Sequence, residues 1–251
     1  MFKLIKTDLK KFIQGKMFLW IVILVIFFPL LQAGLILAIK DLIPEEQIIL
    51  LNPDYNFYSS FSLLNNFGLI FTIFMIVWVV SEFREQTIRN KVILGYKKST
   101  IFYAKVIEAS IVTFITMSLN AILNYLATGI IVGFKDSNMA ELLQHYVVMI
   151  LAVITIIIFI QVVGFIFRTT GLTLGVSLGV IFVFTIVSSV LLLLNNDVLT
   201  RIFSLILPFN QLQYYSSFKD LDMLWMILVD FVYIFILLFI GRKFNYTIDY
   251  R

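Results

Sequence analysis

The 251-residue sequence has no cysteine, a single histidine and four prolines, and only 14 % of its residues are charged. The absence of cysteine excludes disulfides, thiolate metal ligands and cysteine nucleophiles. The shortage of charge excludes a soluble globular domain, in which about 25 % of residues are charged. Hydrophobic residues instead make up 61 % of the chain, against roughly 45–50 % in soluble domains. Lipid must therefore be the solvent for much of the chain.

Six long apolar runs are each close to the roughly 20 residues that a helix needs to cross the hydrocarbon core of a bilayer. They predict membrane spans over residues 17–39, 63–80, 106–132, 146–167, 172–194 and 223–241. The predicted fold class is an all-α membrane protein, with residues 1–251 forming one transmembrane domain. The residues outside the spans are too few for a separate catalytic domain of ordinary size.

Basic residues are divided unequally between the two sides that these spans define. Fifteen Lys and Arg fall on the side that holds both termini, and the other side holds four, namely Lys40, Lys135, Arg201 and Lys219. Short loops rich in Lys and Arg stay in the cytoplasm. We therefore predict a multi-pass protein of a bacterial cytoplasmic membrane with both termini cytoplasmic.

Two segments outside the spans carry patterns of their own. In residues 1–16 apolar side chains recur at helical spacing opposite a face of lysines, which predicts an interfacial helix on the inner leaflet; plain flanking charge is the alternative. In residues 198–222 a short apolar run ends at Pro208, where a helix would stop. We predict an external, re-entrant segment before the last span, with an ordinary external loop as the alternative.

The connection between the second and third spans, residues 81–105, mixes charged and apolar side chains. Residues 88–94 predict one short helix that ends at Gly95, and Ser99 predicts the cap of a second one. Isoleucine and leucine held outside the bilayer by two short helices indicate a docking surface for a partner. A solvated basic connector is the alternative.

Residues 82–91, EFREQTIRNK, resemble the cytoplasmic loop of type-2 ATP-binding-cassette exporter permeases. Members of that family often read E-[FR]-x-x-G-T here, followed by a Leu- or Ile-rich turn and a basic stretch into the third span. The predicted topology is similar over the whole chain, and the high usage of Phe, Ile, Lys and Asn resembles that of a low-GC Gram-positive bacterium. The sequence departs from the family at Gln86, where glycine is usual, and at Gly95, where many members have proline.

The resemblance implies that this connection is a coupling helix seated in a groove on a cytoplasmic ATPase subunit. It implies two ATPase copies that bind ATP and Mg, no cofactor in this chain, a second permease chain, identical or related, and surrounding membrane lipids. The expected cargo is hydrophobic or amphipathic, with peptides such as toxins or bacteriocins first and lipids, drugs or antibiotics as alternatives. The expected ATPase-coupling residues are Glu82, Arg84, Glu85, Thr87, Ile88, Arg89, Lys91 and Val92.

Catalytic motifs are incomplete in this sequence. The stretch GYKKST, residues 95–100, lacks the second glycine of a phosphate-binding loop. The pattern GVSLG, residues 175–179, needs a base beside Ser177, but His145 is expected at the opposite end of its span. We interpret Gly171, Gly175 and Gly179 as a small-residue stripe for helix packing or dimer formation. We therefore expect no enzyme activity, no metal site and no nucleic-acid partner.

Two acidic residues fall inside predicted spans. Glu108, near the cytoplasmic end of the third span, is expected to reach water or Lys105. Asp230 falls near the middle of the sixth span, where a bare carboxylate costs about 3 kcal/mol or more, so we predict a hydrogen bond with Asn120 that fixes helix packing. A proton-coupled secondary transporter acting through Asp230, and a non-transporting immunity or assembly protein, are the alternative functions.

The resemblance to type-2 exporter permeases places the second and fifth spans near the central path. Four aromatic residues recur at helical spacing in the second span and are therefore expected to line that path, with core or lipid-facing packing as the alternative. An aromatic, nearly uncharged wall suits hydrophobic or amphipathic cargo. The four residues are Phe67, Phe71, Phe74 and Trp78.

Overall fold

A computed structural model of the chain describes residues 1–39, 52–64, 66–134, 139–193, 197–212 and 220–247. Four basic residues used to predict the orientation, Lys40, Lys135, Lys219 and Arg251, lie outside the described residues. Within the described ranges all regular secondary structure is helical. The helices are α1 (Phe2–Ile13), α2 (Lys16–Ile39), α3 (Pro53–Ser59), α4 (Asn66–Arg84), α5 (Thr87–Ile93), α6 (Lys98–Val132), α7 (Met139–Phe167), α8 (Thr170–Leu193), α9 (Asp197–Ile206), α10 (Pro208–Gln211) and α11 (Asp220–Thr247).

Six of these helices, α2, α4, α6, α7, α8 and α11, are long and apolar enough to cross a membrane, which confirms the predicted number of spans. Their bounds differ most at α6, which begins at Lys98 rather than at residue 106. Charged residues made the first turns of this helix look like a loop. The helix continues through them because Lys105 and Glu108 pair with each other inside the protein.

The central helix of the bundle is α7. It packs against α4, α6, α8, α10 and α11, and 78 % of its most apolar stretch is buried. This helix is apolar all round, which is typical of a helix surrounded by protein. The buried share of the most apolar stretch is only 22 % in α2, 22 % in α8 and 17 % in α11. These three peripheral helices present Leu, Ile and Phe side chains outward, a surface that matches lipid.

The N-terminal segment forms a helix as predicted, but its apolar face packs on protein. Leu4, Ile5 and Phe12 are buried, and α1 lies against α6 and α2. The ring of Phe12 lies 4.4 Å from that of Trp78. Burial of Asp8 on the same face explains the difference from a helix resting only on lipid, because this carboxylate is paired with lysines of the bundle.

Residues 198–212 of the predicted external segment form two helices separated by a break at Leu207, next to Pro208, and residues 220–222 already belong to α11. Pro208 starts α10, where its missing N–H has no helical acceptor in any case. The ring of Phe209 stacks on Phe184 of α8 at 4.9 Å, so α10 lies inside the bundle. Residues 213–219 of this predicted segment lie outside the described residues.

The connection between α4 and α6 contains one short helix, α5, and not the two that were predicted. Gly95 ends α5 with a φ of +89°, and the N–H groups of Gly95 and Tyr96 donate to the carbonyls of Val92 and Lys91. This is the Schellman arrangement, which requires a left-handed residue and so favours glycine. The expected cap at Ser99 is wrong, because α6 already begins at Lys98 and continues to Val132.

Gln86, which precedes α5, holds a left-handed φ of +57° without a glycine to accommodate it. A side chain in this conformation costs about 1 kcal/mol that glycine does not incur. We expect Gln86→Gly to raise the free energy of unfolding by about this amount, measured by chemical or thermal unfolding in a mild detergent.

Arg89→Gly is the matched control, because Arg89 is also exposed but has helical geometry within α5. Glycine inside a helix lowers stability by about 0.5–1 kcal/mol. Equal destabilisation by the two substitutions would contradict strain at Gln86.

Candidate functional site

Segments distant in the sequence meet at one end of the bundle, which we term the basic end. Lys11 of α1 lies 3.5 Å from Glu85, which follows α4. The side-chain amide of Asn245 near the end of α11 donates to the carbonyl of Lys98 at 2.7 Å. Arg168, between α7 and α8, lies over the ring of Phe83 at 5.8 Å. Segments of the lysine-rich side predicted from the sequence therefore form one physical end of the protein.

Five charged side chains form a buried cluster at the basic end, which we term the ion cluster: Asp8, Glu82, Lys91, Lys105 and Glu108. The ammonium group of Lys91 lies 2.5 Å from Asp8 and 3.3 Å from Glu82. The ammonium group of Lys105 lies 3.0 Å from Asp8, 2.6 Å from Glu82 and 2.7 Å from Glu108. All five side chains are less than a tenth exposed. Each lysine therefore bridges carboxylates of different helices.

The members of the ion cluster come from four helices. Asp8 belongs to α1, Glu82 to the last turn of α4 and Lys91 to α5. Lys105 and Glu108 lie one turn apart on α6, and the Lys105 ammonium also lies 5.6 Å from the centre of the Trp78 ring. Buried charges persist only when paired and hydrogen-bonded. The cluster thus fixes α5 to the ends of two membrane-length helices and to α1.

The eight residues predicted to contact an ATPase divide into three sets by exposure. Glu82, Ile88 and Lys91 are buried inside the protein and anchor α5 rather than face outward. The exposed members are Arg84, Glu85 and Arg89. Thr87 and Val92 are half-buried.

Two apolar residues of the connection that the eight do not include are strongly exposed. Ile93 is 71 % exposed and Leu94 is 76 % exposed. Adjacent aliphatic residues just before a helix-ending glycine were the available signal, because they cannot both face the core. Asp8 was missed as well, and its signal was an acidic residue at helical spacing from the buried Leu4 and Phe12.

The acidic residues within the spans have different surroundings. Glu108 pairs with Lys105, one of the two contacts expected for it, and is fully buried. Asp230 is also fully buried, but neither of its carboxylate oxygens has a hydrogen bond of ordinary geometry to the described residues. The predicted bond to Asn120 is wrong, because α10 enters the bundle and makes Gln211 the polar neighbour of Asp230.

The four aromatic residues assigned to a cargo wall are mainly core residues. Phe71, Phe67 and Trp78 are buried, and Phe74 is half-buried. Phe67 packs between Phe71 and Phe28, at ring distances of 5.8 Å and 6.3 Å. Their burial favours core packing, the alternative interpretation, within a single chain.

Phe67 also borders a cavity of about 300 Å³ between α2, α3, α4 and α6, in the half of the bundle away from the basic end. Asn120 and Asn124 of α6 contribute amide groups to its lining, and Phe28 and Ile36 of α2 contribute apolar groups. Asn124 donates to the hydroxyl of Ser60 at 2.9 Å, so this lining is held by a hydrogen bond between α6 and the turn after α3. This volume is at the lower limit for a ligand site.

The glycine stripe of α8 faces outward. Gly171, Gly175 and Gly179 are exposed, and a Cβ atom added at any of them would meet nothing within 4 Å. The neighbouring Ser177 faces inward, and its buried hydroxyl has no hydrogen-bond partner among the described residues. The stripe therefore packs against no helix in the described part of this chain.

The fold is that of a multi-pass, helical membrane protein with a charged cluster at one end. Comparison with models of known protein families, with the curated proteins and with the solved structures gives no match.

The ion cluster generates a stability prediction. Lys105→Met leaves three buried carboxylates with one ammonium group, and breaking a buried pair in this way costs roughly 3–5 kcal/mol. We expect a marked fall in the unfolding midpoint of the detergent-solubilised chain. Lys11→Met removes an exposed partner of Glu85 and should cost less than about 1 kcal/mol. Similar losses in both variants would show that the buried cluster does not stabilise the bundle.

Proposed function

We propose that this chain is the permease subunit of an ATP-driven exporter of the type-2 ATP-binding-cassette class. It exports hydrophobic or amphipathic cargo, and separate ATPase subunits hydrolyse the ATP. The observation that carries the proposal is α5, a short helix between the second and third membrane-length helices. Its buried side chains anchor it to the bundle, while Ile93 and Leu94 at its C-terminal end are exposed. Its sequence also carries the resemblance to the coupling loop of these permeases.

The exposed tip of α5 has the chemistry of a docking surface. Ile93 and Leu94 are apolar, while Lys97, three residues beyond Leu94, is charged and exposed. An apolar centre with a charged rim is typical of protein–protein interfaces. Exposed aliphatic residues beside the helix-ending Gly95 gain nothing from water, so a groove on a cytoplasmic partner explains them best.

The ion cluster supports a coupling role for α5. A force applied at the tip reaches α4 through Glu82 and α6 through Lys105, because Lys91 and Lys105 share the Glu82 and Asp8 carboxylates. Ion pairs inside protein are stronger and less screened than exposed ones. In the proposed mechanism, closure of two ATPases moves α5, and the rigid cluster transmits that movement to the spans.

The transport unit is proposed to contain two permease chains. The outward stripe of Gly171, Gly175 and Gly179 permits close approach of a second helix, which is how small residues promote association in membranes. The cavity of about 300 Å³ within one chain is too small for a peptide, so the path is proposed to lie between two chains. Amphipathic peptides remain the first proposed cargo, and lipids or drugs the next.

The docking role predicts that α5 can lose its partner without losing its fold. We expect Ile93→Ser with Leu94→Ser to reduce binding of the ATPase subunit at least tenfold, because truncating exposed interface anchors costs about 1–2 kcal/mol each. The unfolding midpoint should be unchanged, since both side chains are exposed. The measurement is co-purification and titration of an ATP-binding-cassette ATPase subunit co-expressed with this chain.

Met139→Ser with Leu143→Ser is the matched control for that experiment. Both residues are apolar and more than half exposed, and they lie on the first turns of α7, away from the basic end. Equal loss of ATPase binding in both variants, or none in the α5 variant, contradicts the docking role. Transport by the chain without any ATPase would favour the proton-coupled alternative through Asp230.

The two-chain arrangement predicts an effect of bulk in the glycine stripe. Gly175→Leu should shift the chain from dimer to monomer by at least tenfold in dissociation constant, measured by sedimentation or single-molecule photobleaching in lipid discs, because it separates the backbones of the two helices. Gly34→Leu is the control, as Gly34 of α2 is also exposed with nothing within 4 Å. A dimer that survives Gly175→Leu, or dissociates equally with Gly34→Leu, places the interface elsewhere.

A further inference from the structure

A second feature of the basic end is a concavity of about 520 Å³ between the end of α4, the start of α5 and the turn from α7 to α8. Three arginines line it: Arg84, Arg89 and Arg168. The hydroxyl-bearing Thr169 and Thr170 complete its polar side. The lining contains no acidic residue. The concavity therefore gathers three positive charges with no negative charge in its wall.

The charges of Arg84 and Arg89 are available to an external anion. Arg84 and Arg89 are exposed, and neither forms an ion pair in the part of the chain that the structure describes. The nearby Glu85 is directed to Lys11 of α1, at 3.5 Å. Arginine is suited to phosphate because its planar guanidinium donates two parallel hydrogen bonds to such groups. Guanidinium groups around one space repel each other, and an anion bound between Arg84 and Arg89 relieves that repulsion.

Two local contacts shape the concavity. Arg168 has a left-handed φ of +56°, which ends α7 just after its N–H makes the last helical hydrogen bond, to the Gly164 carbonyl at 2.9 Å. Its guanidinium lies 5.8 Å from the centre of the Phe83 ring, within cation–π range. The turn thus directs Arg168 towards the α4 side, where Arg84 lies.

The position of the concavity matches the level of lipid headgroups. Arg84 is the last residue of one membrane-length helix, and Thr170 is the first residue of another. Lipid phosphates lie where the hydrocarbon core ends, and basic pockets between transmembrane helices bind anionic headgroups. The rest of the wall is Gln86 and three apolar side chains, Val80, Phe83 and Ile88, and the apolar part suits the upper part of an acyl chain.

We propose that the concavity lined by Arg84, Arg89 and Arg168 binds the phosphodiester headgroup of an anionic phospholipid. The site goes beyond the exporter function, since it needs only the permease chain and its bilayer. It adds a lipid contact beside the exposed tip of α5. Arg84 and Arg89, expected from the sequence to contact an ATPase, face the lipid in this arrangement.

The test is native mass spectrometry of the purified full chain, without ATPase, in detergent containing equal amounts of phosphatidylglycerol and phosphatidylcholine. The unaltered chain should retain phosphatidylglycerol preferentially. Arg84→Gln with Arg89→Gln should lower that preference about tenfold or more, because each arginine contributes separately to attraction of an anionic headgroup. Arg89→Gln alone should give a smaller loss in the same direction.

Arg242→Gln with Lys243→Gln is the charge-matched control, since both residues are exposed on the last turns of α11. Equal loss of preference in the two double variants overturns the site in favour of general surface charge. An unchanged preference in the Arg84 and Arg89 variant overturns it outright. Circular dichroism of each variant verifies the helical fold, and the single Arg89 variant carries the test if the double variant does not fold.

Inorganic phosphate distinguishes the two sources of the anion. Phosphate added at an ionic strength matched by sodium chloride should displace no more phosphatidylglycerol than the chloride does, because the lipid is also held by its acyl chains. Stronger displacement by phosphate would overturn the lipid assignment and make the concavity a site for free phosphate.

Discussion

The fold depends on the neutralisation of buried charge at its basic end. Lys105 lies within a membrane-length helix and contacts carboxylates of three helices, at 2.6 to 3.0 Å. An isolated charge in this position would be too costly to bury, so the pairing determines where α1 and α5 can lie relative to α4 and α6. The pairing of Asp8 fixes the amphipathic helix α1 on the bundle, and the pairing of Lys91 fixes the short helix α5.

A different constraint shapes the rest of the bundle. In a bilayer, apolar surface gains little by being buried in protein, so helices are distinguished by their small and polar residues. The central α7 is surrounded by protein, whereas α2, α8 and α11 keep apolar side chains on the outside. The outward glycine stripe of α8 is the part of that surface best suited to another helix. The protein therefore has a rigid charged end and a periphery open to lipid and partners.

Much of the fold was predictable because length and hydropathy alone identify a membrane span. The six membrane-length helices, the short helix of residues 81–105 and its end at Gly95 all follow local rules, and the structure has them. The pairings did not follow local rules. Asp230 was predicted to bond to Asn120 because the two residues lie at a similar depth in the membrane. Depth does not determine which way a helix face is turned, and α10 brings Gln211 to Asp230 instead.

The residues predicted to contact an ATPase also show that local patterns do not reveal burial. A basic stretch with buried and exposed members looks uniform in the sequence, so Glu82 and Lys91 were grouped with Arg84 and Arg89. The packing of α1 against α6 distinguishes the buried residues from the exposed ones, because Asp8 of α1 pairs with Lys91 and Lys105 inside the protein. The sequence by itself determined a multi-pass helical protein with one basic end, since hydrophobicity and charge are properties of single residues. Which charges are internal anchors and which remain for partners was decided by the tertiary structure, because pairing requires residues distant in the chain to meet.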